Sequence, residues 1–284
     1  YSTVSKDMVC ILATRKSPLA LRQAEIVAEL IRTQMNLEVE LLPLTTSGDQ
    51  RLDWSLQDKG GKGLFTKELE LALLGGQADL AVHSAKDMPT DSPDGLSLSS
   101  FLEREDVRDV LVLRDDVETP KVLASGSPRR VAQLRNRFPD TKWNEMRGNV
   151  ETRLKKIALH GEADGTILAA AGLKRLGIDS FPGLKFEHLP VDEMVPAPGQ
   201  AAIAVQTREE DEEKFSVLGH PETEKAVCLE RMVLESMGGG CQVAVGAYSD
   251  ESLFRFFHEK TGLLKLGLDC SDKELTDELI RRVR

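Results

Sequence analysis

Arginines recur where a predicted strand gives way to a predicted helix, and this pattern could bind an anion. Arg15 follows the first strand, and Arg129 and Arg130 lie where a loop enters a helix. Arg147 ends a later strand, and Arg153 follows it within the next helix. Open sheets bind ligands beyond the carboxyl ends of their strands, where helix N-termini also favour negative charge. Any single one could be a solvated loop residue or be paired with one of the many acidic residues. Together they predict a polyanion site, because a guanidinium can hold a carboxylate through two hydrogen bonds.

A second group of polar side chains follows the short apolar strand predicted at residues 78–82. It contains His83, Ser84, Lys86 and Asp87. A lysine next to an aspartate at a strand end could bind an anion and handle a proton or a cation. Lys-Asp pairs on loops are usually exposed and inert, so this signal is weak by itself.

One cysteine lies in a segment that could expose a thiol. Cys241 follows Gly238, Gly239 and Gly240, and glycine restricts the backbone little. Thiolate chemistry needs electropositive surroundings, which the arginines could provide. Taken alone, such a cysteine is more often an ordinary loop residue. The glycine-rich residues 60–63 resemble a phosphate-binding loop without the spacing of a P-loop, and they are interpreted as a mobile loop.

Composition excludes several classes of protein. The 284 residues carry a formal net charge of -10, which argues against a nucleic-acid-binding protein that acts through bulk charge. No apolar run approaches the roughly 20 residues that cross a bilayer. The four cysteines lack paired C-x-x-C spacing, which favours a reducing compartment over a disulfide framework. The five histidines are dispersed, so no metal site is predicted.

The elements that must position these residues follow from hydrophobic periodicity. Strands at 9–13, 38–44 and 78–82 alternate with a helix that begins at Ser17 and Pro18 and with a helix at 65–74. This order predicts a parallel sheet with crossover helices. A second α/β region repeats the pattern with strands at 110–113, 142–146 and 166–170, and with helices at 129–138, at 150–159 and from 173 onward. A late strand at 201–206 could return to the first sheet.

The pattern changes from about residue 218. A helix at 222–237 is followed by strands at 242–248, 252–258 and 263–268 and by a last helix at 273–283. This pattern predicts a small α+β domain.

Six segments together form a specific pattern in chain order. They are residues 13–20, 60–65, 81–89, 147–150, 171–177 and 239–243, which include Arg-Gly-Asn-Val and Gly-Gly-Cys-Gln-Val. This set resembles the hydroxymethylbilane synthase family, also called porphobilinogen deaminase. The resemblance implies an α/β fold with two domains like those of type II periplasmic binding proteins and a small C-terminal α+β domain with an antiparallel sheet. The implied boundaries are 1–101 and 198–217 for domain 1, 102–197 for domain 2 and 218–284 for domain 3.

The resemblance also implies an activity, that of a transferase of tetrapyrrole and haem biosynthesis. Such an enzyme condenses four porphobilinogen molecules head to tail, with loss of ammonia, on a dipyrromethane cofactor. Hydrolysis then releases the linear tetrapyrrole hydroxymethylbilane. The cofactor would be attached to Cys241 through a thioether. The implied partner is porphobilinogen, with no nucleic acid and no membrane, and the chain is expected to be a monomer.

Site residues are carried over from the resemblance position by position. Asp87 is the implied catalytic residue, because it matches an aspartate that hydrogen-bonds pyrrole N–H groups and stabilises the cation formed when ammonia leaves. The implied cofactor-binding residues are Cys241, Ser84, Lys86, Asp87, Ser127, Arg129 and Arg130. The implied substrate-binding residues are Arg15, Ser17, Arg147, Arg153 and Arg175.

A non-enzymatic alternative remains open from the residues alone. The fold would also suit a two-domain clamp for a dicarboxylate or an amino acid, because a fold does not fix a function. Cys241 after its glycines distinguishes the two hypotheses, since a simple clamp has no use for it. The expected location is the cytoplasm, or the plastid stroma if a transit peptide has been removed.

Overall fold

A computed structural model describes residues 9–50, 63–238 and 244–283 of the chain. Cys241 and most of the glycine-rich segment at 60–63 lie outside the described residues. The described strands, in chain order, are β1 Val9–Arg15, β2 Glu38–Leu44, β3 Leu80–Ser84, β4 Leu96–Phe101, β5 Asp109–Arg114, β6 Val122–Ala124, β7 Lys142–Asn144, β8 Gly165–Ala169, β9 Leu184–Leu189, β10 Ile203–Arg208, β11 Gly246–Ser249, β12 Leu253–His258 and β13 Gly262–Gly267.

The helices occupy most of the segments predicted for them. The described α-helices are α1 Pro18–Leu30, α2 Ser47–Gln50, α3 Lys67–Leu74, α4 Pro128–Leu134, α5 Val150–Ala158, α6 Ala170–Arg175, α7 Glu212–Ser216, α8 Pro221–Ser236 and α9 Asp272–Val283. A π-helical turn, Ile31–Met35, extends α1, and a 3-10 turn, Ala85–Asp87, follows β3.

The start of α1 confirms the predicted cap. Ser17 has an extended backbone, and its Oγ accepts a hydrogen bond of 3.3 Å from the backbone N–H of Ala20. Pro18 occupies the first helical turn, where its missing N–H costs nothing. The apolar face of α1, including Val27, packs with Leu12 of β1 and Leu80 of β3 in the core of the first sheet. The cap therefore fixes where α1 begins, directly after the end of β1.

The first sheet is mixed, with strand order β2-β1-β3-β10-β4. β1 runs parallel to β2 and β3, as predicted. β10, the late strand whose direction was not predicted, pairs antiparallel with both β3 and β4. The physical reason is that β10 enters the sheet from the segment that returns after residue 201 and not from a crossover helix. The late strand does return to the first sheet.

The second sheet repeats this arrangement with order β7-β6-β8-β5-β9. β6 is parallel to β7 and β8, whereas β5 is antiparallel to β8 and β9. β1 lies between β2 and β3 in the first sheet, as β6 lies between β7 and β8 in the second, and an inserted antiparallel strand separates β3 from β4 and β8 from β9. The inserted strand is β10 in the first sheet and β5 in the second. The predicted α/β fold class, with two similar mixed sheets, is confirmed.

The third sheet is small and antiparallel, with order β11-β12-β13. Phe254 and Phe256 of β12 are fully buried with Val233 of α8 and Leu279 of α9. Two helices thus cover one face of three strands, as predicted for the C-terminal α+β region.

The described residues form two compact units. One contains the described residues of 1–51, 63–104 and 202–224, and the other contains those of 105–201 and 225–284. The first sheet lies in the first unit, and the second and third sheets lie in the second unit. The division into three domains at the boundaries given above stays a prediction. None of the described helices has the length and apolar character needed to cross a membrane.

Candidate functional site

The polar group after β3 lies at the edge of the first sheet where its parallel strands have their carboxyl ends, here called the carboxyl edge. Lys86 and Asp87 are half-buried residues of the 3-10 turn that follows β3. That turn is fixed by a hydrogen bond of 3.0 Å from the N–H of Ala85 to the carbonyl of Ala202. Because β1 and β3 are parallel neighbours, Arg15 at the end of β1 lies at the same edge.

The buried side chains of Gln23 and His83 support this turn. Ser84 exchanges hydrogen bonds with the Gln23 amide, with Nε2 to Oγ at 3.0 Å. His83 is buried, and its Nε2 lies 3.1 Å from Oε1 of Gln206. Burial lowers the pKa of His83 to about 4, against the opposing effect of the Gln206 bond, so the imidazole is neutral near pH 7. Gln23 was not predicted from the sequence. Its one signal is that it is a polar residue on the otherwise apolar, buried face of α1.

Arg15 is held by an acidic partner that sequence reasoning also missed. Its Nη2 donates to Oδ1 of Asp49, and its Nε donates to Oδ2 at 3.3 Å. Its guanidinium carbon lies 4.4 Å from the centre of the Phe65 ring. Ser17 lies two residues further on, and its Oγ caps α1 as an acceptor, which leaves its hydroxyl hydrogen for another acceptor.

Arg129 and Arg130 form a buried cluster around Asp109 in the second unit. Nη1 of Arg129 donates to Oδ2 of Asp109 at 2.8 Å and to the carbonyl of Val195 at 2.6 Å. Nε and Nη2 of Arg130 donate to Oδ1 of Asp109 at 3.0 and 2.7 Å. The side chains of Arg129, Arg130 and Asp109 are only 5%, 8% and 0% exposed. Sequence reasoning missed Asp109, although an acid at the start of the apolar run 109–113 was a visible signal.

This cluster carries an excess of buried positive charge. Two guanidiniums share one carboxylate, and Nε of Arg129 is buried with no hydrogen-bond partner among the described residues. Burial lowers the pKa of Arg129, whereas the nearby Asp109 raises it, and an arginine keeps its proton in either case. A buried donor without an acceptor is costly, so the cluster favours an additional anion.

The other predicted residues of the second unit follow the strands of the second sheet. Ser127, after β6, caps α4 by accepting from the N–H of Arg130 at 3.5 Å. Arg147 lies between β7 and α5, and Nε of Arg153 donates to the carbonyl of Gly148 at 2.7 Å. Arg175 ends α6, which directly follows β8. Because β6, β7 and β8 are parallel, these segments all leave the carboxyl edge of the second sheet.

The pKa of Arg175 is lowered from the usual arginine value. Its Nη2 donates to the carbonyl of Ala201 at 2.5 Å. Burial lowers the pKa of Arg175 to about 10, and nearby Glu105 acts in the opposite direction. At neutral pH the side chain is therefore still a cation.

The structure thus brings the predicted residues together in two sets. Arg15, Ser17, Ser84, Lys86 and Asp87 share the carboxyl edge of the first sheet, and Ser127, Arg129, Arg130, Arg147, Arg153 and Arg175 follow the strands of the second. Cys241 cannot be placed in either set because it lies outside the described residues. The ligand contacts assigned to each residue stay predictions.

Residues 10–216 match the family described as "Porphobilinogen deaminase, dipyromethane cofactor binding domain". The match covers more than half of the chain and includes both five-stranded sheets. The chain belongs to the porphobilinogen deaminase family. This is an enzyme family of tetrapyrrole biosynthesis whose substrate is porphobilinogen, and its matched domain binds dipyrromethane. The match ends before Cys241, so the role of that cysteine rests on the motif around it.

The described residues fit the cofactor of the porphobilinogen deaminase family. Dipyrromethane carries carboxylates, and the Arg129–Arg130–Asp109 cluster presents surplus positive charge and an orphaned N–H donor. No three His, Cys, Asp or Glu side chains within the described ranges are grouped so that they could hold a metal ion. Burial raises the pKa of the Cys10 thiol to about 12, so that cysteine stays a thiol at neutral pH.

Several solved structures are similar to this porphobilinogen deaminase family member in outline. The BvgS periplasmic VFT2 domain of Bordetella pertussis is 21% identical over 74% of this chain and 85% of that chain, with a TM-score of 0.44. An ABC transporter from Parabacteroides distasonis is 15% identical over 80% and 74%, with a TM-score of 0.45. A cysteine mutant of OxyR from Corynebacterium glutamicum is 13% identical over 84% and 70%, with a TM-score of 0.47.

Proposed function

We propose that the protein is a hydroxymethylbilane synthase. It would join four porphobilinogen molecules head to tail, with loss of ammonia, and release the linear tetrapyrrole by hydrolysis. The observation that carries this proposal is the match of residues 10–216 to a dipyrromethane cofactor-binding domain. The cationic cluster around Asp109 supports it, because its surplus positive charge and its spare N–H donor suit the carboxylates of that cofactor.

Cys241 is the proposed attachment point of the cofactor, through a thioether. Arg129 and Arg130 would bind its carboxylates with the N–H groups that Asp109 does not occupy, and Ser84, Lys86 and Ser127 would complete the contacts. When bound, dipyrromethane supplies the acceptor pyrrole and a tether that keeps the acceptor near the incoming unit. Three further proposals rest on the sequence alone. They are a monomeric state, the absence of a nucleic-acid partner, and a location in the cytoplasm or plastid stroma.

Asp87 is the proposed catalytic residue. Its carboxylate would hydrogen-bond pyrrole N–H groups and stabilise the positive charge that develops when ammonia leaves porphobilinogen. Two observations support this role: Asp87 lies at the carboxyl edge of the first sheet, and it is half-buried. A fixed charge in a partly desolvated site lowers a barrier more than the same charge in water.

Five residues are the proposed contacts of the substrate carboxylates: Arg15, Ser17, Arg147, Arg153 and Arg175. Each porphobilinogen brings an acetate and a propionate, so repeated addition requires fixed cations. Arginine suits this task because it stays charged and binds carboxylates through two parallel hydrogen bonds. Even Arg175, whose pKa is lowered to about 10, remains protonated at neutral pH.

The intact mass of the purified protein tests the proposal. We expect the mass to exceed the sequence mass by one dipyrrole and to increase stepwise when porphobilinogen is added. Cys241→Ser should have the bare sequence mass and no turnover. Cys228→Ser is the matched control, because Cys228 is an exposed cysteine of α8, and it should load like the wild type. A bare mass in fully active wild-type protein would contradict the proposal, as would a negative colour reaction with an acidic aldehyde reagent.

A further inference from the structure

The guanidinium of Arg15 is restrained on two sides. Asp49 accepts hydrogen bonds from Nε and Nη2, and the guanidinium carbon lies over the Phe65 ring, 4.4 Å from its centre. Within the part of the chain that the structure describes, the hydrogen bonds of this guanidinium go to Asp49 alone. The Nη1 edge is therefore left for an external acceptor. The side chains of Arg15 and Asp49 are 22% and 23% exposed, so a ligand in solution can reach the pair.

Asp49 is itself fixed. Its Oδ2 accepts hydrogen bonds from the backbone N–H of Thr46 at 3.3 Å and from the Thr46 hydroxyl at 2.7 Å. Thr46 is fully buried. Burial alone would raise the pKa of Asp49, but the hydrogen bonds from Arg15 and Thr46 outweigh it and lower the pKa. Asp49 therefore stays an anion at neutral pH, in one orientation.

Phe65 is fixed by a different set of contacts. A Cβ atom on Gly48 would overlap the Phe65 ring, so the absence of a side chain at Gly48 lets the ring approach the α2 backbone. The N–H of Gly48 donates to the carbonyl of Leu64 at 2.9 Å. The hydroxyl of Ser47 donates to Oε1 of Glu68 at 2.5 Å. These contacts join α2 to the start of α3 and hold both supports of Arg15 together.

We infer that Asp49, assisted by Phe65, is a positioning residue for substrate binding by Arg15, an inference that rests on the proposed function. Asp49 takes one edge of the guanidinium and Phe65 takes one face, so the carboxylate of an incoming porphobilinogen meets the remaining Nη1 edge in a fixed orientation. Preorganised donors bind a ligand with less loss of conformational entropy. Asp49 also offsets part of the Arg15 charge, so a bound carboxylate can still dissociate.

The test is a double-mutant cycle on cofactor-loaded protein, with loading checked by intact mass. We expect Asp49→Ala to raise KM for porphobilinogen about tenfold and to change kcat by less than about threefold, because lost orientation weakens binding more than chemistry. Asp49→Asn keeps an acceptor for Arg15 and should raise KM less. The matched control is Asp116→Ala, which removes an exposed aspartate paired with Arg114 and should leave KM unchanged.

Non-additivity separates positioning from a structural role. If Asp49 acts through Arg15, the double variant Arg15→Ala/Asp49→Ala should have the same KM as Arg15→Ala alone. Additive effects, or an unchanged KM in Asp49→Ala, would overturn the inference. If Asp49→Ala does not fold, the same cycle is run with Asp49→Asn and read by the same criteria. An unchanged KM in Arg15→Ala with the dipyrrole present would overturn this inference alone, whereas active wild-type protein without the dipyrrole would overturn the proposed function.

Discussion

At the scale of single residues, two aspartates decide how the arginines are presented. Asp109 is fully buried and accepts hydrogen bonds from both Arg129 and Arg130, whereas Asp49 is partly exposed and pairs with Arg15. The buried cluster keeps surplus positive charge, which suits a permanently held anion. The exposed pair is close to neutral, which suits an anion that must come and go.

The proposed catalytic role of Asp87 can be tested by a single substitution. Asp87→Ala should leave the fold and the dipyrrole mass intact and lower kcat at least about a hundredfold, because one charge aimed at a developing cation is removed. Circular dichroism, intact mass and steady-state turnover measure the three properties. Asp94→Asn is the control, since Asp94 is an exposed aspartate of the same connection and should retain full turnover. Turnover near the wild-type value in Asp87→Ala would refute the assigned role.

The residues of the candidate site could largely be predicted from the sequence, but the acidic residues that pair with its arginines could not. Arg15 follows a predicted strand, and Arg129 and Arg130 begin a predicted helix, so their placement at the ends of these elements followed from pattern alone. Asp49 lies 34 positions from Arg15, and Asp109 lies 20 positions from Arg129. Which of the 47 acidic residues pairs with which arginine depends on tertiary structure, which a local pattern does not contain.

At the scale of elements, the segment 195–201 connects several parts of the second unit. The carbonyl of Val195 accepts from Arg129 of α4, and the N–H of Gly199 donates to the fully buried Glu230 of α8 at 2.7 Å. The carbonyl of Ala201 accepts from Arg175 of α6. Ala201 has a φ of 72°, a left-handed conformation that a residue with a Cβ rarely adopts. These contacts hold the segment in a strained form.

Ala201→Gly should relieve that strain. The left-handed conformation costs a residue with a Cβ roughly 1–2 kcal/mol, and the greater freedom of glycine in the unfolded chain offsets part of this. We expect a net gain of about 0.5–1 kcal/mol and a rise in Tm of about 2 °C, measured by thermal unfolding. Ala202→Gly is the matched control: Ala202 is buried, has no left-handed backbone and should lose stability. Equal losses in both variants would contradict the strain at Ala201.

Periodicity predicted most helices and strands but not the order of the strands. The cap at Ser17, the strand Glu38–Leu44 and the helices α5 and α8 were predicted to within two residues. β4 was missed because serines interrupt its apolar run, and β9 because its alternation is that of a half-exposed strand. The antiparallel insertion of β10 depends on a contact with β3 more than 100 residues away, which no local pattern specifies.

At the scale of the whole molecule, charged contacts attach the third sheet to the rest of its unit. Arg255 of β12 donates to Asp192 at 2.6 Å and to Asp250 at 2.5 Å, and Lys265 of β13 lies 2.7 Å from Asp192. The N–H of Ala247 in β11 donates to the carbonyl of Pro196 at 3.0 Å. The contacts to Asp192 and Pro196 connect the third sheet to residues 192–196.

These contacts make stability depend on pH. Burial alone would raise the pKa of Asp250, but N–H donors from Ser252 and Leu253 and the Arg255 guanidinium lower it to about 2. A carboxyl with a lowered folded-state pKa stabilises the fold above its unfolded pKa of about 3.9, and this contribution is lost as the pH falls toward 2. Asp250→Asn should therefore be less stable than the wild type at pH 6, and the difference should shrink below about pH 4.

Urea unfolding of both proteins between pH 6 and pH 3 measures that difference. Asp140→Asn is the control, because Asp140 is exposed and outside this cluster, and its difference from the wild type should stay small at every pH. A difference for Asp250→Asn that is equally large at pH 6 and pH 3 would show that the charge of Asp250 is not the stabilising feature.

The position of β10 between β3 and β4 also sets the order in which the two sheets can form during synthesis on the ribosome. The last strand of the second sheet ends at Leu189, whereas the first sheet still lacks β10, which belongs between β3 and β4. A nascent chain that has emerged only to residue 200 can pair every strand of its second sheet, but β3 and β4 still await their common neighbour. The N-terminal sheet is thus the later of the two to close, and a nascent chain that has emerged to between residues 190 and 202 leaves the edges of β3 and β4 that β10 will join unpaired.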